Sequence, residues 1–291
     1  MTVIELIERS SARLSQAGVS FGHGTSNAFD EAVWLVLWRL GLPLDDLDSV
    51  AERLLTAEQC AAIDALVDER IATRRPAAYL TGEAWLQGVP FTIDERTIVP
   101  RSLIAELIVD LEGTHTLDAW LSAGTRRVLD LCTGNGSLAV LVALAWPQVS
   151  VDAADLSADA LAVAQINVDR HDLADRITLL QGDGLDAVSG RRYDLIVCNP
   201  PYVNTASMAA LPAEYRSEPA LALVGGDDGM DFIRPLIAQA TEHLNEGGVL
   251  VLEIGHEAAH FEAAFPQLEF AWLATSGGDE QGLVATREAL E

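Results

Sequence analysis

The stretch "CNPPYV" (residues 198–203) follows the apolar run "YDLIV" and sets a carboxamide, two prolines and a phenol side by side. Neither proline can continue a central strand, because each lacks the N–H that the ladder needs. Each also holds the residue before it extended. Asn199 and Tyr202 are therefore fixed on a stiff turn at the carboxyl end of a strand. A second stretch, "VLDLCTGNGSLAV" (residues 128–140), reads as a strand, a glycine turn and a helix start. Gly134 and Gly136 let the backbone approach a ligand closely, and the helix amino terminus offers free N–H groups. The third glycine of a dinucleotide fingerprint is missing after Ser137 and Leu138. By itself the turn fits an ordinary α/β unit as well as a cofactor loop.

Asp155 lies 19 residues after Gly136, at the end of the next strand. An acid there accepts both hydroxyls of a ribose, although a turn acid beside the helix cap Ser157 would read the same way. Asp183, in "LLQGDGL", ends a third strand and suits an exocyclic adenine amine or a plain loop position. Taken in order at successive strand ends, these residues point together to a nucleoside-bearing cofactor. "HEAAH" (residues 256–260) matches the HExxH pattern of zinc proteases. The metal reading needs a helix already under way, whereas this match begins directly after Gly255. Solvent-side helix residues and no metal are expected there.

The elements that must carry these residues change character along the chain. Residues 1–82 read as helical. "NAFDEAVWLVLWRLG" places Phe29, Val33, Leu37 and Leu40 at helical spacing and stops at Gly41. "TAEQCAAIDALVDERIATRRP" starts on Thr56, with Gln59 completing a capping box, and ends before Pro76. Residues 83–100 predict a β-hairpin linker, two short strands around a turn at residues 87–90. A helix follows from Ser102 through "LIAELIVDLE". Within residues 101–291, strands are expected at "RRVLDLC", "VSVDAADL", "ITLLQGD", "YDLIVCN", "GGVLVLEIG", "LEFAWLAT" and "GLVATR", with helices filling the first four gaps. Such alternation predicts a mostly parallel sheet wrapped by helices on both faces. Ligands then bind beyond the carboxyl ends of the strands, where the strand order reverses.

The bulk properties narrow the class. With 49% hydrophobic and 21% charged residues, the chain is that of a folded protein. Its longest apolar run, "LAVLVALAW", is far shorter than the ~20 residues that span a bilayer. The amino terminus lacks a signal-peptide core, so a cytoplasmic protein without membrane attachment is expected. Cys60, Cys132 and Cys198 form neither a CxxC pair nor an even set, which favours apolar fillers over disulfides. The net charge is −26, and all 18 basic residues are arginine. A field of that sign repels nucleic acid, DNA included, and speeds encounter with a basic partner; it also suits a surface solvated in a salt-rich cell.

With "NPPY" added to the glycine turn and the two acids, the sequence resembles the class I S-adenosylmethionine-dependent methyltransferases that act on planar amide or amine nitrogens. The resemblance implies a Rossmann-like seven-stranded α/β domain. It also implies catalytic roles for Asn199 and Pro200 as acceptors of hydrogen bonds from the target NH₂, with Tyr202 as the platform under it. "FGHGTSNAFDEAVWLVL", "RRPAAYLTGEAWLQGVPFTIDERTIVPRS", "DLCTGNG", "NPPYV" and "LPAEYRSEPALALVGGDDGMD" narrow it further. Together they are similar to the protein-glutamine methyltransferases (PrmB/HemK family), and to their ribosomal-protein branch, over almost the whole chain. That branch implies a glutamine of the third large-subunit ribosomal protein as target, engaged before or during ribosome assembly. The sister branch, which methylates release factors, is the alternative. Carried over by position, Asp130, Thr133, Gly134, Gly136, Asp155, Asp183 and Asn199 would bind the cofactor. Asn199, Pro200, Pro201, Tyr202 and Glu218 would meet the substrate. Arg101 would close the cofactor site or remain a surface arginine. The family's strand order also makes Cys132 and Cys198 neighbours, so that oxidation could impair the site.

Overall fold

The computed structural model describes residues 1–110 and 112–291. Helix α1 (Val3–Gln16) opens with a Thr2–Glu5 capping box, α2 (Ala28–Leu40) is capped by Asn27, and the short α3 (Leu47–Val50) follows. Helix α4 (Ala57–Thr73) opens on the expected Thr56–Gln59 box, and α5 (Ala77–Thr81) ends at Gly82. The apolar spacing in α2 forms a helix whose Leu37 is buried and whose Val33 and Leu40 pack against the core, but the buried face extends beyond that spacing. Phe29 is exposed, while Ala28, Ala32, Leu35, Val36 and Leu37 are buried. Helices α1, α4 and α5 all contact α2, so the buried face is wider than a single stripe.

Strands β1 (Glu83–Leu86) and β2 (Val89–Thr92) form the hairpin. Its turn is Gln87–Gly88 rather than residues 87–90, and Pro90 lies within β2 opposite Trp85. Both turn residues have positive φ, 48° and 74°, as a two-residue primed turn demands. Helix α6 (Ile104–Ile108) stops earlier than the sequence suggests. The Asp110 carboxylate accepts from the N–H groups of Glu112 and Thr114, a local turn that competes with the helix. The remainder of that expectation, at Leu111, lies outside the described residues.

The rest of the chain alternates as expected: β3 (Arg127–Leu131), α7 (Ser137–Ala145), β4 (Ser150–Asp155), α8 (Ala158–Arg170), β5 (Ile177–Gln181) and β6 (Tyr193–Cys198). Then come α9 (Thr205–Ala210), α10 (Ile233–His243), β7 (Leu244–Glu253), α11 (Ala258–Ala264), β8 (Ala271–Thr275), β9 (Gly278–Thr286) and α12 (Arg287–Leu290). The gap between β5 and β6 holds only a 3₁₀ turn, Gly184–Val188, instead of a helix. Its entry is tight: a Cβ on Gly182 would stand 2.7 Å from the Ala187 backbone.

The seven strands run in the order β5-β4-β3-β6-β7-β9-β8. Pairings from β5 to β7 are parallel, and β9 is antiparallel to both its neighbours. One apolar cluster joins the sheet to α6 and α7, and another joins it to α10 and α11. The helical domain has its own core, which reaches into the linker through Ala84, Ile93 and Val99. Phe91 turns the other way, into the sheet domain. Asn167 on α8 reinforces this junction: its Oδ1 accepts from Thr92 N–H at 2.7 Å, and its Nδ2 donates to the carbonyls of Thr92 and Asn135. No helix of the described residues is long and apolar enough to cross a membrane.

The helical core also contains an ion pair. Arg70, fully buried, donates to Glu31 Oε1 at 2.8 Å and to the carbonyl of Ser20 at 2.9 Å. Arg70→Ala leaves the Glu31 carboxylate buried without its cation and is expected to cost about 3–5 kcal/mol. Urea denaturation of the variant against wild type measures this, and a loss below about 1 kcal/mol would contradict the account.

Candidate active site

The glycine turn begins with Cys132 in a left-handed conformation (φ 62°), followed by Gly134 (57°) and Gly136 (80°). At Gly136 the left-handed backbone favours glycine, and a Cβ would stand 3.2 Å from Ala164 Cβ on α8, a tight contact. At Gly134 the space is open, and its N–H donates to Asp155 Oδ2 at 2.9 Å. Asp155 Oδ1 accepts from Ser157 N–H, while Ser157 itself caps α8. Asp155 is thus a turn acid and not the helix cap, and each of its oxygens keeps a lone pair for a ligand. Burial raises its carboxyl above the usual range.

Asp130 lies behind the turn. Its Oδ2 accepts from the Thr133 hydroxyl and from Ala139 N–H, and its fully buried Oδ1 has no partner. Burial pushes this carboxyl up to about 7. The cleft in front is lined by Gly134, Asp155, Asp183, Asn199 and Pro201, and faced by residues 96–98 of the linker. Asp130, Thr133 and Gly136 do not line it; they shape the turn that does. An open glycine at Gly134 and two acids lining the cleft, Asp155 and Asp183, suit a ligand bearing hydroxyls and an amine.

A second cavity of about 410 Å³ lies on the other side of Asn199, and Pro200, Tyr202, Arg101 and Glu253 line it. Asn199, Ile98 and Ala222 border both spaces. Tyr202 is held from every side. Its hydroxyl donates to Glu253 Oε1 at 3.1 Å. A Cβ on Gly225 would come within 2.7 Å of its backbone, and one on Gly255 within 2.5 Å of its ring. Glu253 Oε2 accepts from the Ser102 hydroxyl at 2.6 Å and from Leu103 N–H at 2.9 Å. These donors are neutral, and burial raises the Glu253 carboxyl. Neither Glu253 nor Gly255 was marked by sequence reasoning, although an acid ending the apolar run "VLVLE" was a signal.

Arg101 faces this second cavity, not the cofactor-type cleft. Glu218 lines neither, because Arg101 takes both of its oxygens and Val99 N–H takes a further lone pair. Against the cost of its burial, His23 and Arg101 hold the Glu218 carboxyl down to about 2. The HExxH match does not place its histidines one turn apart on a helix, since α11 begins at Ala258 and His256 precedes it. Glu257 is taken by Asn204 and His260 instead. No cluster of three or more metal-ligating side chains exists among the described residues. Cys132 follows Leu131, which pairs with Cys198 in the sheet, and burial, with Cys132 nearby, pushes the Cys198 thiol well up.

Residues 5–82 match the PrmC N-terminal domain and residues 106–213 the methyltransferase small domain. Over 99% of this chain and 96% of theirs, the ribosomal protein uL3 glutamine methyltransferase of Bordetella pertussis is 54% identical. Its counterpart from Burkholderia pseudomallei is 52% identical over 96% of this chain and 92% of its own. The chain belongs to the family of ribosomal protein uL3 glutamine methyltransferases. The hMettl16 catalytic domain, solved in complex with MAT2A 3′UTR hairpin 6, shares the fold with a TM-score of 0.53 at 14% identity, over 80% of this chain and 82% of that one. In this member of the family, the proline turn, the glycine turn and both cavities sit at the carboxyl ends of β3 and β6, neighbours in the sheet.

Two outcomes follow for this methyltransferase. Gly255→Ala forces the Tyr202 ring aside at a backbone that is already left-handed, and is expected to lower kcat about tenfold or more while cofactor affinity stays within twofold. Steady-state kinetics with calorimetric binding checks this. For Asp130, the unfolded carboxyl titrates near ~3.9 and the folded one near 7. The folded chain therefore keeps a proton that the unfolded chain sheds. This contribution to stability is complete below the unfolded value and lost as pH rises through about 7. The urea midpoint of wild type should fall relative to Asp130→Asn across that window; parallel curves would refute the assignment.

Proposed function

We propose that the chain transfers a methyl group from S-adenosylmethionine to the side-chain amide nitrogen of a glutamine in ribosomal protein uL3, in the cytoplasm, before or during ribosome assembly. What supports this reading is that Asn199 borders both the cofactor-type cleft and the second cavity, so one side chain faces donor and acceptor together. S-adenosylmethionine supplies the methyl on a sulfonium and leaves as S-adenosylhomocysteine. The residues of the first cleft fit it: Asp155 accepts the ribose hydroxyls, Asp183 the adenine amine, and Gly134 lets the backbone close in. Asp130, Thr133 and Gly136 hold that turn in shape.

An amide nitrogen is a poor nucleophile because its lone pair is delocalised into the carbonyl. Asn199 Oδ1 and the carbonyl of Pro200 accept its two N–H groups, which aligns the nitrogen and stabilises positive charge as the N–C bond forms and the C–S bond breaks. The nitrogen then loses one proton, leaving the N-methyl amide. Tyr202 packs against the flat group, whereas Pro201, expected to meet the substrate, lines the cofactor-type cleft instead. A net charge of −26 suits a basic ribosomal protein and disfavours DNA.

The test uses labelled S-adenosylmethionine with uL3 and a release factor side by side, and mass spectrometry to locate the methyl. Label on a glutamine of uL3 is expected, reduced about a hundredfold in Asn199→Ala. Label on the release factor alone would keep the chemistry and overturn the partner.

A further inference from the structure

Arg101 stands in the acceptor cavity with a fixed geometry and unused donors. Its Nη1 donates to Glu218 Oε1 at 2.6 Å and to the carbonyl of Val99 at 3.0 Å, and its Nη2 donates to Glu218 Oε2 at 2.7 Å. A guanidinium has five N–H groups. That leaves the Nε–H and one Nη2–H without a protein partner. The side chain is 25% exposed, and the space it faces is the cavity that holds Asn199 and Pro200. Glu218 is completely buried in its side chain, and the Arg101 guanidinium lies 5.3 Å above the Tyr215 ring.

The clamp is completed from the other domain. His23, 1% exposed, reaches Glu218 Oε2 at 3.6 Å and packs its ring 4.4 Å from that of Tyr215. Gly22 lines the cavity itself, 3.5 Å from the Tyr215 hydroxyl at the place of an added Cβ. The "FGHGT" turn of the helical domain therefore backs the wall that Arg101 belongs to. The cavity offers acceptors in Asn199 Oδ1, the Pro200 carbonyl and the carboxylates of Glu253 and Glu257. Ser207, Tyr215, His256 and Gln281 also line it and can donate, but Arg101 is the permanently charged donor among its lining residues. The acceptors suit the N–H groups of a glutamine side chain. A bound peptide also buries main-chain carbonyls, each of which needs a donor.

We infer that Arg101 is a specificity-determining residue whose clamped guanidinium donates to a main-chain carbonyl of the peptide that carries the target glutamine. This rests on the reading of the cavity as a glutamine acceptor site. Glu218, His23 and Tyr215 are positioning residues that act through Arg101. The helical domain thereby enters acceptor recognition at the reacting end.

The test takes the full chain, S-adenosylmethionine and intact uL3. Arg101→Gln is expected to raise KM for uL3 roughly 10- to 100-fold, the worth of a charge-assisted hydrogen bond, with kcat within about threefold and S-adenosylhomocysteine affinity unchanged. Arg101→Lys keeps the charge but not the fork and should fall between. Because Arg101→Gln leaves Glu218 buried and unpaired, the double variant Arg101→Gln/Glu218→Gln removes both charges together. A double variant with wild-type thermal stability and a raised KM supports the inference. A double variant with wild-type KM overturns it, since Arg101 would then serve only to neutralise Glu218. A drop in S-adenosylhomocysteine affinity also overturns it, by placing Arg101 on the cofactor side. If wild type labels uL3 and no variant changes KM, this inference alone falls. If wild type labels no glutamine, the reading beneath it falls as well.

Discussion

Everything at the site depends on the parallel pairing of β3 with β6, which sets Leu131 beside Cys198. The chain leaves β3 by a glycine turn and β6 by a proline turn, and both turns open at the same edge of the sheet. A single carboxamide, Asn199, can therefore border two spaces that would otherwise be unrelated. Neither turn alone makes a site. The glycine turn gives a backbone that a ligand can approach, and the proline turn gives side chains that cannot drift. Their adjacency follows from sheet order, in which β3 and β6 are the central neighbours from which the parallel strands spread to either side.

The second organising feature is a set of buried carboxylates that act on backbone. Glu218 accepts from Val99 N–H, Glu253 from Leu103 N–H, and Glu214 from Ser20 N–H. A buried carboxylate is costly unless its lone pairs are taken. In each case some of those lone pairs hold a loop that could not otherwise be packed by apolar contact. Glu218 and Glu214 also bring arginines with them, Arg101 for one and Arg70 with Arg74 for the other. Glu253 has only neutral donors among its hydrogen-bond partners, and it is also the one that fixes the ring of Tyr202.

Much of this was legible in the sequence because the signals are local. Strand ends, glycine turns and X-Pro dipeptides act within a few residues, so all seven strands and the positions of Asn199, Gly134, Asp155 and Asp183 could be read directly. What the sequence did not reveal depends on distant parts of the chain. Glu218 follows the proline turn in sequence and looks like a substrate residue, yet Arg101, more than a hundred positions earlier, consumes its carboxylate. Phe29 fits a helical stripe, yet it is exposed while three neighbouring helices bury a wider face that includes Leu37. Helix α6 was cut short by one side chain, Asp110, hydrogen-bonding its own backbone. The β5–β6 gap was expected to be helical only because the alternation of its neighbours was regular.

The linker between β2 and α6 has one property that sets it apart from an ordinary connection. Ile98 borders the cofactor-type cleft and the acceptor cavity at once, Arg96 and Thr97 face the first, and Arg101 and Leu103 face the second. The same ten or so residues are pinned from below by Glu218 and Glu253. A roof laid over two rooms cannot be lifted from one and left on the other. Any displacement of this segment therefore alters the walls of both spaces at once, so that neither can be reshaped through it independently of the other.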